Sequence, residues 1–117
     1  MPFKIYYVDD EPELLEIFTD CFTSPKLSIS TFTDPKHAIR AIHQSPPDLL
    51  ILDYRMPDMT GDQLAQSVDQ SIPKVMITGD LEVVPKAEFL KIFRKPYSLV
   101  ELKELIDGYL TFHRSKR

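Results

Sequence analysis

Residues 48–61 read DLLILDYRMPDMTG. Leu49, Leu50, Ile51 and Leu52 form an unbroken apolar run, the pattern of a strand covered on both faces of a parallel sheet. Asp53 follows at once, and Pro57 and Gly61 mark a loop. A carboxylate at the end of a central strand either caps the next turn or does chemistry, and the rest of the chain has to decide between them.

On either side of this stretch, short apolar runs alternate with amphipathic ones. FKIYYV (3–8) reads as a strand and EPELLEIFTDCF (11–22) as a helix with apolar residues at helical spacing. LSISTF (27–32) alternates like a half-exposed edge strand, and Asp34-Pro35 caps and opens a helix near 35–44 with Ala38, Ile39 and Ile42 inward. GDQLAQSVDQ (61–70) follows as a helix, PKVMITG (73–79) as a second central strand and LKIFR (90–94) as a last strand. SLVELKELIDGYLTF (98–112) is a closing helix, with Leu99, Leu102, Leu105, Ile106 and Tyr109 on one side and Gly108 weakening its last turn. Repeated strand-then-helix units imply an α/β domain: a parallel sheet, right-handed crossovers and helices on both faces. Residues 1–117 make one such domain, with a solvated tail from about 113, and no internal repeat or linker interrupts it.

The composition narrows the function. An apolar fraction of 43% with 27% charged residues is that of a globular protein, and a net charge of −4 argues against direct nucleic-acid binding. No apolar run approaches the ~20 residues that span a bilayer. Two aspartates come too early for a signal-peptide core, so the expected compartment is the cytoplasm. A lone cysteine, Cys21, suits a reducing compartment and falls on the stripe Leu14, Leu15, Phe18, Cys21, Phe22, where it reads as core packing.

In parallel sheets ligands bind beyond the carboxyl ends of the strands. Those ends carry Asp9 and Asp10, Asp53, Thr78 and Lys95. Each has a structural explanation: Asp10 with Glu13 matches a capping box, Asp53 could cap a turn, Thr78-Gly79-Asp80 is an ordinary turn, and Lys95 could be solvated. Together they strain that account. Two carboxylates ~4 Å apart repel by about 4 kcal/mol at an effective dielectric of about 20, so three at one edge call for raised pKa values or a bound cation. Oxygen-only ligands select a hard cation, Mg²⁺ or alternatively Mn²⁺, that completes its shell with water and phosphate. A hydroxyl and an ammonium beside it suit phosphoryl oxygens.

The acidic pair Asp9-Asp10, LDYRMPDMTG around Asp53, ITG at Thr78 and KPY at Lys95 stand in one order along nearly the whole chain. In these four motifs the sequence resembles the receiver domain of two-component response regulators. The resemblance implies a flavodoxin-like, doubly wound five-stranded sheet of order 2-1-3-4-5. It implies that Asp53 takes a phosphoryl group from a histidine kinase or phosphotransfer protein, switching binding of a downstream partner or output domain. Asp9, Asp10, Asp53 and the Arg55 backbone carbonyl would hold Mg²⁺, Thr78 and Lys95 would bind phosphoryl oxygens, and Lys95-Pro96 would be cis. Self-catalysed transfer and slow autodephosphorylation are then the only reactions expected.

An aspartate-nucleophile phosphatase of haloacid-dehalogenase type wants a second aspartate where Arg55 stands. A flavodoxin-like cofactor binder wants a phosphate cradle where DDEPE stands. A receiver-like docking module that is never phosphorylated would not need the intact set. Two departures from the family pattern bear on output. Ile92 stands where receivers often carry an aromatic, and GDLEVVPKAEF (79–89) is too short for a turn plus a full helix, so any helix there begins near Pro85 and is brief. Arg55 and Asp80, of opposite charge and each two residues beyond a site residue, are expected to pair across the mouth of the site.

Overall fold

The computed structural model describes residues 2–80 and 82–115. Strands β1 (Phe3–Val8), β2 (Leu27–Phe32), β3 (Leu49–Asp53), β4 (Lys74–Thr78) and β5 (Lys91–Arg94) are interspersed with helices α1 (Pro12–Cys21), α2 (Pro35–Gln44), α3 (Gly61–Gln66) and α4 (Leu99–Ser115), one after each strand except β4, which β5 follows directly. The strands form one sheet in the order β2-β1-β3-β4-β5, and every pairing is parallel. Alternation along the strands splits the core in two. Phe3, Ile5, Tyr7, Leu49, Ile51, Val75, Ile77 and Phe93 face α1 and α4, where they meet Leu15, Phe18, Leu102 and Ile106. Tyr6, Val8, Leu50 and Leu52 face α2 and α3, meeting Ala38, Ile42, Leu64 and Ala65. β3 is buried at every residue, as its apolar run demands, and β2 is the half-exposed edge.

Local chemistry sets the helix ends. Asp34 caps α2 by accepting from the Lys36 N–H at 2.9 Å, with Pro35 opening the helix. At α1 the capping box of Asp10 with Glu13 does not form; the N-cap is Glu11, whose N–H is taken by Oδ1 of Asp9 at 2.9 Å. Cys21, expected in the core, is exposed. Phe18 and Phe22, with rings 4.5 Å apart, take the inward positions at the end of α1 and turn Cys21 outward.

Two further segments depart from expectation. α3 stops at Gln66 because polar side chains take its last carbonyls. Ser67 Oγ donates to the Leu64 carbonyl at 2.7 Å, and Gln70 Nε2 donates to those of Ala65 and Val68 at 2.9 and 2.7 Å. The turn that follows is held by Lys74, 2% exposed, whose Nζ donates to the carbonyls of Asp69 and Ile72, both at 2.9 Å. Burial pulls this ammonium below its ordinary pKa range. Among the described residues of 82–90 no helix forms. Pro85 has no N–H to give, and the N–H groups of Lys86 and Ala87 are taken by a side chain of α3. The closing helix passes through Gly108 and runs to Ser115, into the stretch expected as tail; residues 116 and 117 lie outside the described residues.

Candidate functional site

The sheet brings the strand-end residues together. Asp9 follows β1, Asp53 closes β3, Thr78 closes β4 and Lys95 follows β5. Asp9, Thr78 and Asp53 are 0%, 1% and 4% exposed. Asp9, Asp10 and Asp53 each offer a carboxylate oxygen within 4.8 Å of the others, an all-oxygen set of the kind a hard cation takes. Lys95 Nζ lies 3.1 Å from Asp53 Oδ1. The Lys95-Pro96 bond is cis.

Burial dominates the electrostatics. It raises the Asp9 carboxyl to about 6, against the Glu11 N–H that favours the anion and with the charge of Asp53 adding to the rise. Burial raises Asp53 as well, and the hydrogen bond and charge of Lys95 offset only part of that. Burial also draws Lys95 down, but the Asp53 carboxylate more than reverses it and leaves the ammonium raised. Charged carboxylates here are held against their desolvation cost, which is the condition a cation relieves.

The loop after β3 is built to fix Asp53. The Tyr54 N–H donates to the Ile77 carbonyl at 2.9 Å, and the Gly61 N–H to the Tyr54 carbonyl at 2.8 Å. Arg55 and Thr60 form an isolated antiparallel bridge, Asp58 takes the turn at φ 71°, and Thr60 with Gln63 makes a capping box at α3. Gly61 is required by proximity: a Cβ there would stand 2.4 Å from the Asp53 carbonyl oxygen. At the mouth, Arg55 Nη2 and Asp80 Oδ2 are 3.0 Å apart, the pairing expected from their charges. The Asp80 N–H donates to Thr78 Oγ1 at 3.0 Å, and Arg94 donates to the Asp80 carbonyl at 2.9 Å.

Two neighbours escaped the reading of the sequence. Tyr7, 1% exposed, donates its hydroxyl to Asp9 Oδ2 at 3.4 Å. Period-two alternation, which sets residues 7 and 9 on one face, is the signal that could have found it. Asp62, in the first turn of α3, binds the backbone of residues 86 and 87. No local pattern announces that, because an acidic residue at a helix start is ordinary.

Comparison with known proteins agrees with this geometry. A family model described as "Response regulator receiver domain" matches residues 5–107. Regulatory protein VanRc of Enterococcus gallinarum is 31% identical over 106 residues, covering 85% of this chain and 46% of that protein. Transcriptional regulatory protein BaeR of Escherichia coli is 28% identical over 102 residues, covering 81% of this chain and 42% of its own length. The chain thus spans less than half the length of these two curated relatives. Among solved structures, a CheY-like response regulator receiver domain protein from Methanospirillum hungatei superimposes with a TM-score of 0.86 at 20% identity over 100% of both chains. Response regulator protein TrrA from Thermotoga maritima, in complex with Mg²⁺ and BeF, gives 0.80 at 23% identity over 93% of this chain and 99% of its own. No helix among the described residues is long and apolar enough to cross a membrane.

Proposed function

The chain belongs to the response regulator receiver family of two-component signalling, and on that premise we propose that Asp53 is its phosphoacceptor. The observation that carries the proposal is a buried carboxylate at the end of a central strand, 3.1 Å from an ammonium and beside two further carboxylates. The reaction follows from these groups. A carboxylate oxygen of Asp53 attacks phosphorus, the P–N bond of a donor phosphohistidine breaks, the imidazole leaves with its electron pair and takes a proton, and an acyl phosphate remains. Lys95 and Thr78 hold the phosphoryl oxygens, one by charge and one by its hydroxyl.

Asp9, Asp10 and Asp53, with the Arg55 backbone carbonyl, would hold Mg²⁺, or Mn²⁺ in its place. The bound cation would offset the charge that gathers on the equatorial phosphoryl oxygens. The three-carboxylate cluster supports this assignment: burial already raises Asp9 and Asp53, so the set favours a cation over three free anions. The donor in this reading is a histidine kinase or phosphotransfer protein in the cytoplasm. The receiver of the signal is a downstream partner or an output domain, and this domain neither binds nucleic acid directly nor catalyses more than its own loading and slow unloading.

The test is direct. With a small phosphodonor and Mg²⁺, the intact mass should rise by one phosphoryl group, and Asp53→Asn should abolish the rise. Undiminished labelling of the variant would defeat the assignment.

A further inference from the structure

An acidic residue in the first turn of a helix usually answers the helix dipole. Asp62 does more. Its Oδ2 accepts from the Lys86 N–H and its Oδ1 from the Ala87 N–H, both at 2.9 Å. The residue is 9% exposed, so these two charge-assisted bonds are shielded from competing water. They bridge 24 and 25 residues of chain. Ala87 and Phe89 beside them pack onto the α2/α3 side of the core, covering apolar surface where no helix stands, while Val84 is 87% exposed.

The same strap is tied at its start to the phosphoryl site. Thr78 Oγ1 accepts the Asp80 N–H, and Asp80 Oδ1 accepts the Glu82 N–H, both at 3.0 Å. Its two ties differ in freedom. Asp62 adjoins Gly61, which is wedged against the Asp53 carbonyl, so the 86–87 end is fixed to the α3 side of the site. The Asp80 end hangs from the Thr78 hydroxyl.

We propose that Asp62 is a latch that pins residues 82–90 across the sheet, and that loading of Asp53 works against this latch from the Asp80 end. This rests on the reading of Asp53 as phosphoacceptor. A phosphoryl group adds roughly −2 charge, which draws a hydroxyl donor such as Thr78 toward it. Asp80 and Glu82 follow the hydroxyl that holds them. With 86 and 87 pinned, residues 82–85 absorb the displacement, and their change of order is the signal. Without the latch the strap gives way as a whole and the displacement is not concentrated there.

Residue-resolved amide exchange tests this with Asp62→Asn, which keeps the shape but has one oxygen for two N–H groups. In the parent without phosphodonor, the Lys86 and Ala87 amides should exchange at least about tenfold more slowly than Val84, the scale of one buried hydrogen bond. In Asp62→Asn that protection should fall at both amides. Mg²⁺ with beryllofluoride should change exchange across 82–85 in the parent and change it less in the variant, while intact mass shows that the variant still takes a phosphoryl group. Amides of 86 and 87 as open as Val84 in the parent would overturn the latch, and so would a beryllofluoride response equal in the two proteins. Failure of the parent to load at all would refute the phosphoacceptor reading instead, leaving the latch to stand on exchange in the unloaded protein.

Discussion

Replacing Asp9 by asparagine removes one charge from the acidic cluster and keeps an acceptor for the Glu11 N–H, while the amide nitrogen in place of Oδ2 reverses the second bond, donating to the Tyr7 oxygen that donates in the parent. Burial first, and then the charges of Asp53 and Asp10, raise the Asp9 carboxyl from 3.8 to about 6 in the folded protein. The folded state therefore binds this proton more tightly than the unfolded state does. By linkage, the stability of the metal-free protein falls as pH rises from about 4 to about 6, and the full penalty stands above that window. With Asp9 buried, a rise of that size corresponds to at most about 3 kcal/mol. Urea unfolding in a chelator should find Asp9→Asn more stable than the parent at pH 7.5, by up to about 3 kcal/mol. The gap should close as pH falls through 6 toward 4, where the parent carries a neutral Asp9. Added Mg²⁺ should restore the parent, by about 2.7 kcal/mol at a hundredfold excess over its dissociation constant, and do less for the variant. A variant that is weaker than the parent at pH 7.5 without metal, or a gap that does not vary with pH, would refute the reasoning.

Two more outcomes follow from the loops around Asp53. Arg55 and Asp80 pair across the mouth of the site at 3.0 Å, where the pair would hinder a water approaching a loaded Asp53. Arg55→Ala and Asp80→Ala should each shorten the phosphoryl lifetime, Arg55→Ala with little change in melting temperature, since an exposed pair contributes at most about 1 kcal/mol to stability. Decay rates equal to the parent in both would exclude the pair as a gate. Gly61→Ala places a methyl 2.4 Å from the Asp53 carbonyl oxygen, so the β3 end or α3 must shift. A loss of about 1–3 kcal/mol in denaturant unfolding, with slower labelling of Asp53, is expected; an unchanged rate would mean that the wedge does not position the acceptor.

The order of elements was legible because each carried its own periodicity: the unbroken run Leu49–Leu52 for a two-sided strand, Asp34-Pro35 for a helix start, the alternation of β2 for an edge. The site was legible because parallel topology gathers strand ends, so Asp9, Asp53, Thr78 and Lys95 needed only their positions along the chain to be placed together. What escaped depended on pairings across the chain. Ten residues at helical pattern near 61–70 did not reveal that Ser67 and Gln70 would cap α3 early, nor that Lys74 would reach back for two carbonyls. Cys21 lies on the apolar stripe by spacing, yet the two phenylalanines around it fill the available core. Between Thr78 and β5, composition announced a short segment, but not that an aspartate of α3 would supply the acceptors a helix would have provided.

Lys74 has a consequence of another kind. Val75, Met76 and Ile77 are interchangeable oily side chains, and sliding β4 along β3 by two residues would keep each of them on its own face. In the observed alignment Lys74 sits opposite Leu50 at the start of the strand, where its ammonium reaches the turn carbonyls. Slid by two, it would stand opposite Leu52, beneath Leu64 and Ala65, with the turn left outside. An uncompensated buried ammonium costs several kcal/mol. The strand's single charge therefore encodes its address in the sheet, through the penalty it imposes on every wrong alignment more than through the two bonds it makes in the right one.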